Sequence, residues 1–224
     1  MTSPTSQADR AAAFVAANTR LMRPPLTPEI QLHLAEESLP IWRKSEEELG
    51  EMNVPPPYWA FAWAGGQALA RFLLDNRDQF AGRTLLDIGT GSGLVAIAGA
   101  MAGADVTAND IDTYALAACR MNAAANRVAV TTMPGDLLAP LTDWTGPAQV
   151  ICLADVFYES TLARRAMAFA EAARSAGSRV LVGDPRRSYF PQSSFSKIAD
   201  YPVPVTRELE DAEIKNAAVW QLAD

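Results

Sequence analysis

Residues 85–98 read LLDIGTGSGLVAIA, an apolar run that breaks on three glycines and then resumes with helix-forming composition. A short β-rich run, a glycine turn and a helical run in that order describe a strand-to-helix turn, which is where the ligand crevice of an open α/β sheet lies. Gly89, Gly91 and Gly93 follow G-x-G-x-G spacing, with Thr90 inside the turn. The dinucleotide fingerprint is G-x-G-x-x-G, and its third glycine would fall at Leu94. The turn therefore favours a nucleoside ligand without a pyrophosphate and disfavours a dinucleotide oxidoreductase. Such a ligand lays an amino-acid moiety over the glycines, and Asp87 on the preceding strand can attract its ammonium. Gly89, Thr90, Gly91, Gly93 and Asp87 are thus candidate cofactor-binding residues.

Working outward, helices and strands alternate. AWAGGQALARFLLDN (62–76) precedes the strand as a helix, and GLVAIAGAMAG (93–103) follows it. DVTAND (105–110) reads as a strand, TYALAACRMNAAAN (113–126) as a helix, and VAVTTM (128–133) and AQVICLAD (148–155) as strands. TLARRAMAFAEAARSAG (161–177) is a helix and SRVLVGD (178–184) a strand. This alternation predicts a mostly parallel sheet covered on both faces. The tail breaks the rhythm. Residues 196–208 and 216–222 read as strands with no full-length helix between them, so an antiparallel hairpin at one sheet edge is expected.

Before residue 58 the pattern differs. QADRAAAFVAANTRLM (7–22) reads as a helix stopped by Arg23-Pro24-Pro25, IQLHLAE (30–36) as a half-exposed strand, and Pro55-Pro56-Pro57 as a stiff entrance after the acidic run Glu46–Glu48. The expected organisation is an N-terminal, substrate-facing extension over 1–57, which cofactor binding does not require, and a ligand-binding domain over 58–224.

Two further strand ends carry carboxylates. Asp110 closes VTAND about twenty residues after the glycines, where it can accept hydrogen bonds from both ribose hydroxyls, and Ile111 beside it offers an apolar surface for an adenine ring. Asp136, in MPGDLL, can accept the adenine amino group. The fourth strand ends in CLADVFYES (152–160), which delivers Asp155 and, three residues later, Tyr158. A helix N-cap and a core aromatic are the plain alternatives for that pair.

DIGTGSG, NDID, GD and the Asp-ended fourth strand together resemble the class I S-adenosylmethionine-dependent methyltransferases. That resemblance implies a Rossmann-like α/β fold: a mostly parallel seven-stranded sheet with an antiparallel C-terminal hairpin, helices on both faces, and Asp155 and Tyr158 at the point of methyl transfer. The D-x-x-Y form, without the prolines of amide- and base-methylating enzymes, is similar to protein lysine methyltransferases. PPPYWAFAWAGGQALARFLLD (55–75) with ADVFYE (154–159) resembles the lysine methyltransferases of the electron transfer flavoprotein β subunit and their bacterial relatives. The closer resemblance implies that Trp63 walls the cofactor site, that Ala154 lies against the cofactor, and that Trp144 stands on the adenine side. It also implies the flavoprotein β subunit as substrate, with ribosomal stalk protein L7/L12 credited to bacterial relatives. Ala64 departs from the proline common in those relatives.

A lysine suits Asp155 and Tyr158 physically, since an ammonium is attracted by a carboxylate and by an aromatic face, the latter worth about 0.5–2 kcal/mol. The amine must nevertheless lose a proton before it can attack. Burial lowers its pKa and Asp155 raises it, so Asp155 is assigned chiefly to orientation, with either water or this carboxylate as the proton acceptor. A small amine as acceptor, signalled by a closed apolar pocket over Asp155, is the rival enzymatic reading. A cofactor sensor without turnover is the rival from another class.

Composition narrows the partners. Nineteen Lys and Arg against 26 Asp and Glu give a net charge of −7, which opposes nucleic-acid binding, and the tightest basic cluster is Arg186-Arg187. One histidine and two cysteines exclude an imidazole or Cys-rich metal site and a disulfide framework. No metal is expected. With no apolar run of membrane-spanning length and no signal-peptide pattern, the expected compartment is the cytoplasm.

Overall fold

A computed structural model describes residues 7–36, 56–139, 146, 148–205 and 213–223. Trp144, the acidic run Glu46–Glu48 and Pro55 lie outside the described residues.

In chain order the elements are α1 (Gln7–Asn18), β1 (Arg20–Met22), β2 (Leu32–Leu34), α2 (Ala64–Asp75), β3 (Thr84–Ile88), α3 (Leu94–Met101), β4 (Asp105–Asp110), α4 (Thr113–Ala125), β5 (Thr131–Pro134), β6 (Val150–Ala154), α5 (Ser160–Ser175), β7 (Arg179–Asp184), β8 (Phe195–Pro204) and β9 (Ile214–Leu222). Seven strands form one sheet in the order β5-β4-β3-β6-β7-β9-β8. Neighbours from β5 to β7 pair in parallel, and β9 runs antiparallel to both β7 and β8. This is the expected Rossmann-like architecture, antiparallel hairpin included.

The order reverses between β3 and β6. Ile88 pairs with Asn109 on one side and with Leu153 on the other, so the carboxyl ends of β3, β4 and β6 finish level. Side chains alternate along each strand: Leu85 and Cys152 face the core under α2 and α3, whereas Leu86 and Ile151 face α5. Both faces are thereby buried, which explains the near-continuous apolar strands.

Helix α2 crosses β7 at unusually short range. A Cβ built on Gly65 would lie 2.3 Å from the Gly183 carbonyl oxygen, so only glycine permits this backbone contact. The crossing brings the first turn of α2 to the carboxyl ends of β6 and β7.

The N-terminal helix is shorter than its sequence predicts. It stops at Asn18, where the Asn18 side chain donates to the Phe14 carbonyl (2.9 Å) and the Thr19 hydroxyl to that of Val15 (2.6 Å). Side chains that bond the last turn compete with its continuation, and residues 20–22 form a strand paired with β2 instead. β5 similarly begins at Thr131 rather than Val128, because it pairs with β4 only from Thr107 onward.

The described part of the extension is packed into the fold. Val15, Ile30 and Leu32 are fully buried. Asn122 accepts the His33 N–H (2.7 Å) and donates to the Ser92 carbonyl (2.8 Å), linking β2 directly to the glycine turn. Asn126 clamps Gln31 through both its backbone groups. These contacts tie the described part of the extension to α4 and, through Asn122, to the glycine turn.

Candidate active site

A cleft of about 860 Å³ opens along the carboxyl ends of β3, β4 and β6. Gly89 and Gly91 line it with backbone in the left-handed region (φ 67° and 52°), a conformation glycine adopts without steric cost. Asp110 holds the turn: one carboxylate oxygen accepts the Gly91 N–H (3.0 Å) and the other accepts the Asp112 N–H (3.0 Å). Burial pushes the Asp110 pKa up, against the pull of those backbone donors. Ile111, 72% exposed, presents bare apolar surface to the cleft. Asp136 also lines it, with its carboxylate already accepting from the Leu138 N–H (3.1 Å) and paired with Arg165.

Asp87, Thr90 and Gly93, also expected at the ligand, do not line the cleft and stand beneath the turn. Asp87 is 1% exposed and accepts the Thr90 hydroxyl (2.6 Å); burial pushes its pKa up to about 7. Neither it nor Thr90 lines the cleft. Gly93 caps α3 with φ 82°, and a Cβ there would lie 2.8 Å from Cys119 Sγ, so it serves the packing of α3 on α4.

The opposite wall comes from the segment before α2. Trp63 lines the cleft, its indole N–H donating to the Tyr58 carbonyl (2.9 Å). Trp59 borders the cleft too but is buried, packed against Phe14 and Tyr114. Ala64 is the first residue of α2 and follows an extended Trp63 (φ −61°, ψ 153°), a geometry that also fits proline.

Asp155 and Tyr158 meet at the end of β6. Asp155 adopts the left-handed conformation (φ 57°), uncommon for a residue with a side chain, and it does not cap α5. That role belongs to Glu159, whose carboxylate accepts the N–H groups of Thr161 (2.7 Å) and Leu162 (2.8 Å). The Asp155 turn is pinned by its own N–H on the Gly183 carbonyl (3.0 Å), and its Oδ2 accepts the Gly66 N–H (2.7 Å). Tyr158 is no core aromatic: Phe157 is fully buried, while Tyr158 is 47% exposed and lies 5.6 Å from the Tyr58 ring. Burial, then the neighbouring Tyr58 and acids, push its phenol pKa up, so the hydroxyl keeps its proton at neutral pH.

Ala154, Asp155, Tyr158, Trp63, Gly89, Gly91, Asp110, Ile111 and Asp136 thus share one cleft. The stretch from residue 67 to 160, which contains most of that lining, matches the family model of the ribosomal protein L11 methyltransferase (PrmA). Over almost the whole chain the relatives are more specific. The electron transfer flavoprotein beta subunit lysine methyltransferase of Danio rerio is 36% identical across 98% of this chain and 86% of its own length. That of Xenopus laevis is 37% identical across 93% and 85%, and that of Homo sapiens 34% identical across 93% and 80%. The chain belongs to the electron transfer flavoprotein β subunit lysine methyltransferase family. At the level of fold alone, the magnesium protoporphyrin IX methyltransferase of Synechocystis PCC 6803, solved with bound SAH, superposes with a TM-score of 0.52 at 16% identity, over 82% of this chain and 91% of that one.

In this member of the family the sequence reading missed one cleft residue that bears directly on Asp155. Arg187, three residues beyond β7, donates to Asp155 Oδ1 through Nε (2.9 Å) and a terminal nitrogen (2.6 Å), and its guanidinium lies 5.4 Å from the Trp63 ring centroid. The Arg186-Arg187 pair had been visible only as the tightest basic cluster. Its partner in the turn, Asp184, is fully buried and accepts the Arg187 N–H (2.7 Å). The other Asp184 oxygen has no hydrogen-bond partner among the described residues, and burial pushes this carboxyl up to about 7. Two residues of α1, Gln7 and Arg10, reach the cleft as well. Among the described residues no helix is long and apolar enough to cross a membrane.

Proposed function

We propose that this enzyme transfers a methyl group from S-adenosylmethionine to lysine ε-amines of the electron transfer flavoprotein β subunit. The observation that carries the reading is the placement of Asp155, strained and doubly anchored, beside Tyr158 at the rim of a cleft floored by Gly89, Gly91 and Asp110. Asp110 would accept the ribose hydroxyls, Gly89 and Gly91 would receive the amino-acid moiety, and Ile111 with Asp136 would hold the adenine. Trp63 and Ala154 would close the sides. Asp87, Thr90 and Gly93 would keep the glycine turn in shape from beneath.

S-adenosylmethionine supplies an electrophilic methyl group. A lysine nitrogen would take that methyl on its lone pair, leaving the sulfur its bonding pair, so the amine must arrive unprotonated. The chain therefore needs to orient a long, flexible amine and exclude water, with no nucleophile of its own. Alignment of reactants is the main source of acceleration in such a step. Tyr58 and Tyr158, 49% and 47% exposed, flank the approach and offer aromatic faces to an incoming side chain. An open rim of this kind favours a protein lysine over a small amine. We assign residues 1–57 to the substrate side, with Gln7 and Arg10 bordering the entrance. The buried free thiols Cys119 and Cys152 support a reducing compartment such as the cytoplasm.

The test is methyl transfer from labelled S-adenosylmethionine to purified flavoprotein β subunit, ribosomal L7/L12 and a panel of small amines, with native enzyme and Asp155→Ala. Methyl-lysine on the β subunit that disappears with Asp155→Ala supports the proposal. Label confined to small amines, or undiminished in the variant, defeats it.

A further inference from the structure

A carboxylate beside a methyl-accepting lysine poses a problem of sign. Alone, Asp155 would stabilise the ammonium form and so suppress the neutral amine that reacts. The structure does not leave it alone. Arg187 grips Asp155 Oδ1 with two N–H groups, at 2.9 and 2.6 Å, while the Gly66 N–H holds Oδ2 at 2.7 Å. The pair has side chains only 18% and 9% exposed, so solvent screens it weakly. Arg187 is itself fixed from three sides: by Asp155, by the Trp63 ring under its guanidinium, and by Asp184, which binds its backbone N–H.

We infer that Arg187 is a positioning residue for methyl transfer, which cancels the charge of Asp155 so that the entering lysine meets an oriented acceptor without being trapped as an ammonium. The inference rests on the lysine reading above. A fork that makes two parallel N–H bonds fixes the carboxylate plane as well as its charge, which a lysine at 187 would not do. Among the described residues, the charged or titratable groups around the site include Tyr158 and Glu159 from the β6–α5 turn, Tyr58 from the segment before α2, Asp110 from β4, Asp184 with Arg186 after β7, and Lys215 from β9. Asp110 and Asp184 are acids like Asp155, and it is Arg187 whose guanidinium donates directly to the Asp155 carboxylate.

The experiment is the pH profile of kcat for methylation of the flavoprotein β subunit by native enzyme, Arg187→Gln, Arg187→Lys and the double variant Asp155→Asn/Arg187→Gln. Removing the guanidinium leaves Asp155 uncompensated, so the rising limb of Arg187→Gln should move up by about one to two pH units. Its rate at pH 7 then falls roughly ten- to hundredfold and recovers at high pH. Arg187→Lys should keep the native midpoint with a lower plateau, and the double variant should return the midpoint toward native. Midpoints do not depend on the fraction of enzyme that is active, so partial misfolding leaves the comparison intact. Asp184→Asn, which removes a carboxyl pushed up to about 7, should leave the midpoint in place. A profile of Arg187→Gln parallel to the native one at every pH overturns the inference while the lysine reading stands. Absence of methyl-lysine with the native enzyme defeats the lysine reading itself, whatever the variants do. Should Arg187→Gln fail to fold, a midpoint shift in Arg187→Lys as large as expected for charge loss would equally overturn it.

Discussion

Gly65 and Gly66 are adjacent in the first turn of α2, yet an alanine at each should act in opposite directions. A Cβ at Gly65 would lie 2.3 Å from the Gly183 carbonyl oxygen and 2.7 Å from Asp155 Oδ2. Ordinary contact begins near 3.4 Å, so the helix must retreat from β7 by about 1 Å. Forcing volume into a packed site costs about 1–3 kcal/mol, and the upper end applies because the obstacle is backbone. Reduced freedom of the unfolded chain returns about 0.4–1 kcal/mol. The net loss is about 2 kcal/mol, which for a chain of this size lowers Tm by roughly 4–8 °C. The retreat also drags the Gly66 N–H away from Asp155, and a misplacement of about 1 Å at a reacting centre can cost a hundredfold in kcat. At Gly66 the nearest atoms, Asp155 Oδ2 and Leu94 Cδ2, are 3.9 Å from the built Cβ. Gly66→Ala should therefore raise Tm slightly and leave kcat within a few-fold. Calorimetry with single-turnover methylation separates the two effects. Equal Tm values for the two variants, or a Gly65→Ala enzyme with native kcat, would refute the account of this crossing.

Deleting residues 1–36 removes Val15, Ile30 and Leu32 from the core and cuts the Asn122 link to the glycine turn; the truncated chain should lose its cooperative melt and its affinity for S-adenosylhomocysteine, and Ile30→Ala alone should cost about 2–5 kcal/mol by denaturant titration. Asp110→Ala releases the Gly91 and Asp112 N–H groups and should weaken S-adenosylhomocysteine binding at least tenfold by calorimetry, on the order of 1.4 kcal/mol. Burial raises Asp87 and Asp184 to about 7 and Asp112 to about 6. With folded-state pKa values above the unfolded ones, their stabilising protonation is complete below about pH 4 and lost as pH rises through 7, so Tm of the cofactor-free protein should fall between pH 5 and 8, and Asp184→Asn should flatten that fall.

How far the sequence reaches depends on whether the needed information is local. The strand–glycine–helix turn and the alternating elements around it are local patterns, and the sheet agrees with them, with Gly89, Gly91, Asp110 and Ile111 lining one cleft. Asp87 shows where locality ends. Its strand position puts it one residue from Ile88, but the side to which each points is decided by the sheet, and Asp87 faces into the protein beneath Thr90. The same holds for the two acids of ADVFYES. Nothing in the spelling says whether Asp155 or Glu159 caps the following helix; the left-handed backbone at Asp155 decides it. Arg187 is the least legible, since it lies 32 positions from Asp155 and reaches it only because Ala154 pairs with Gly183 in adjacent parallel strands. Its one trace was a basic dipeptide directly after a strand, in a chain that is otherwise acidic. In an open α/β sheet ligands bind outside the carboxyl ends of the strands at the switch point, and β7 lies directly beside β6 there, so a cation at the carboxyl end of β7 can meet a carboxylate at the carboxyl end of β6. The carboxylate and the phenol of CLADVFYES are therefore half of a constellation whose other half, Trp63 and Arg187, is supplied by the elements on either side.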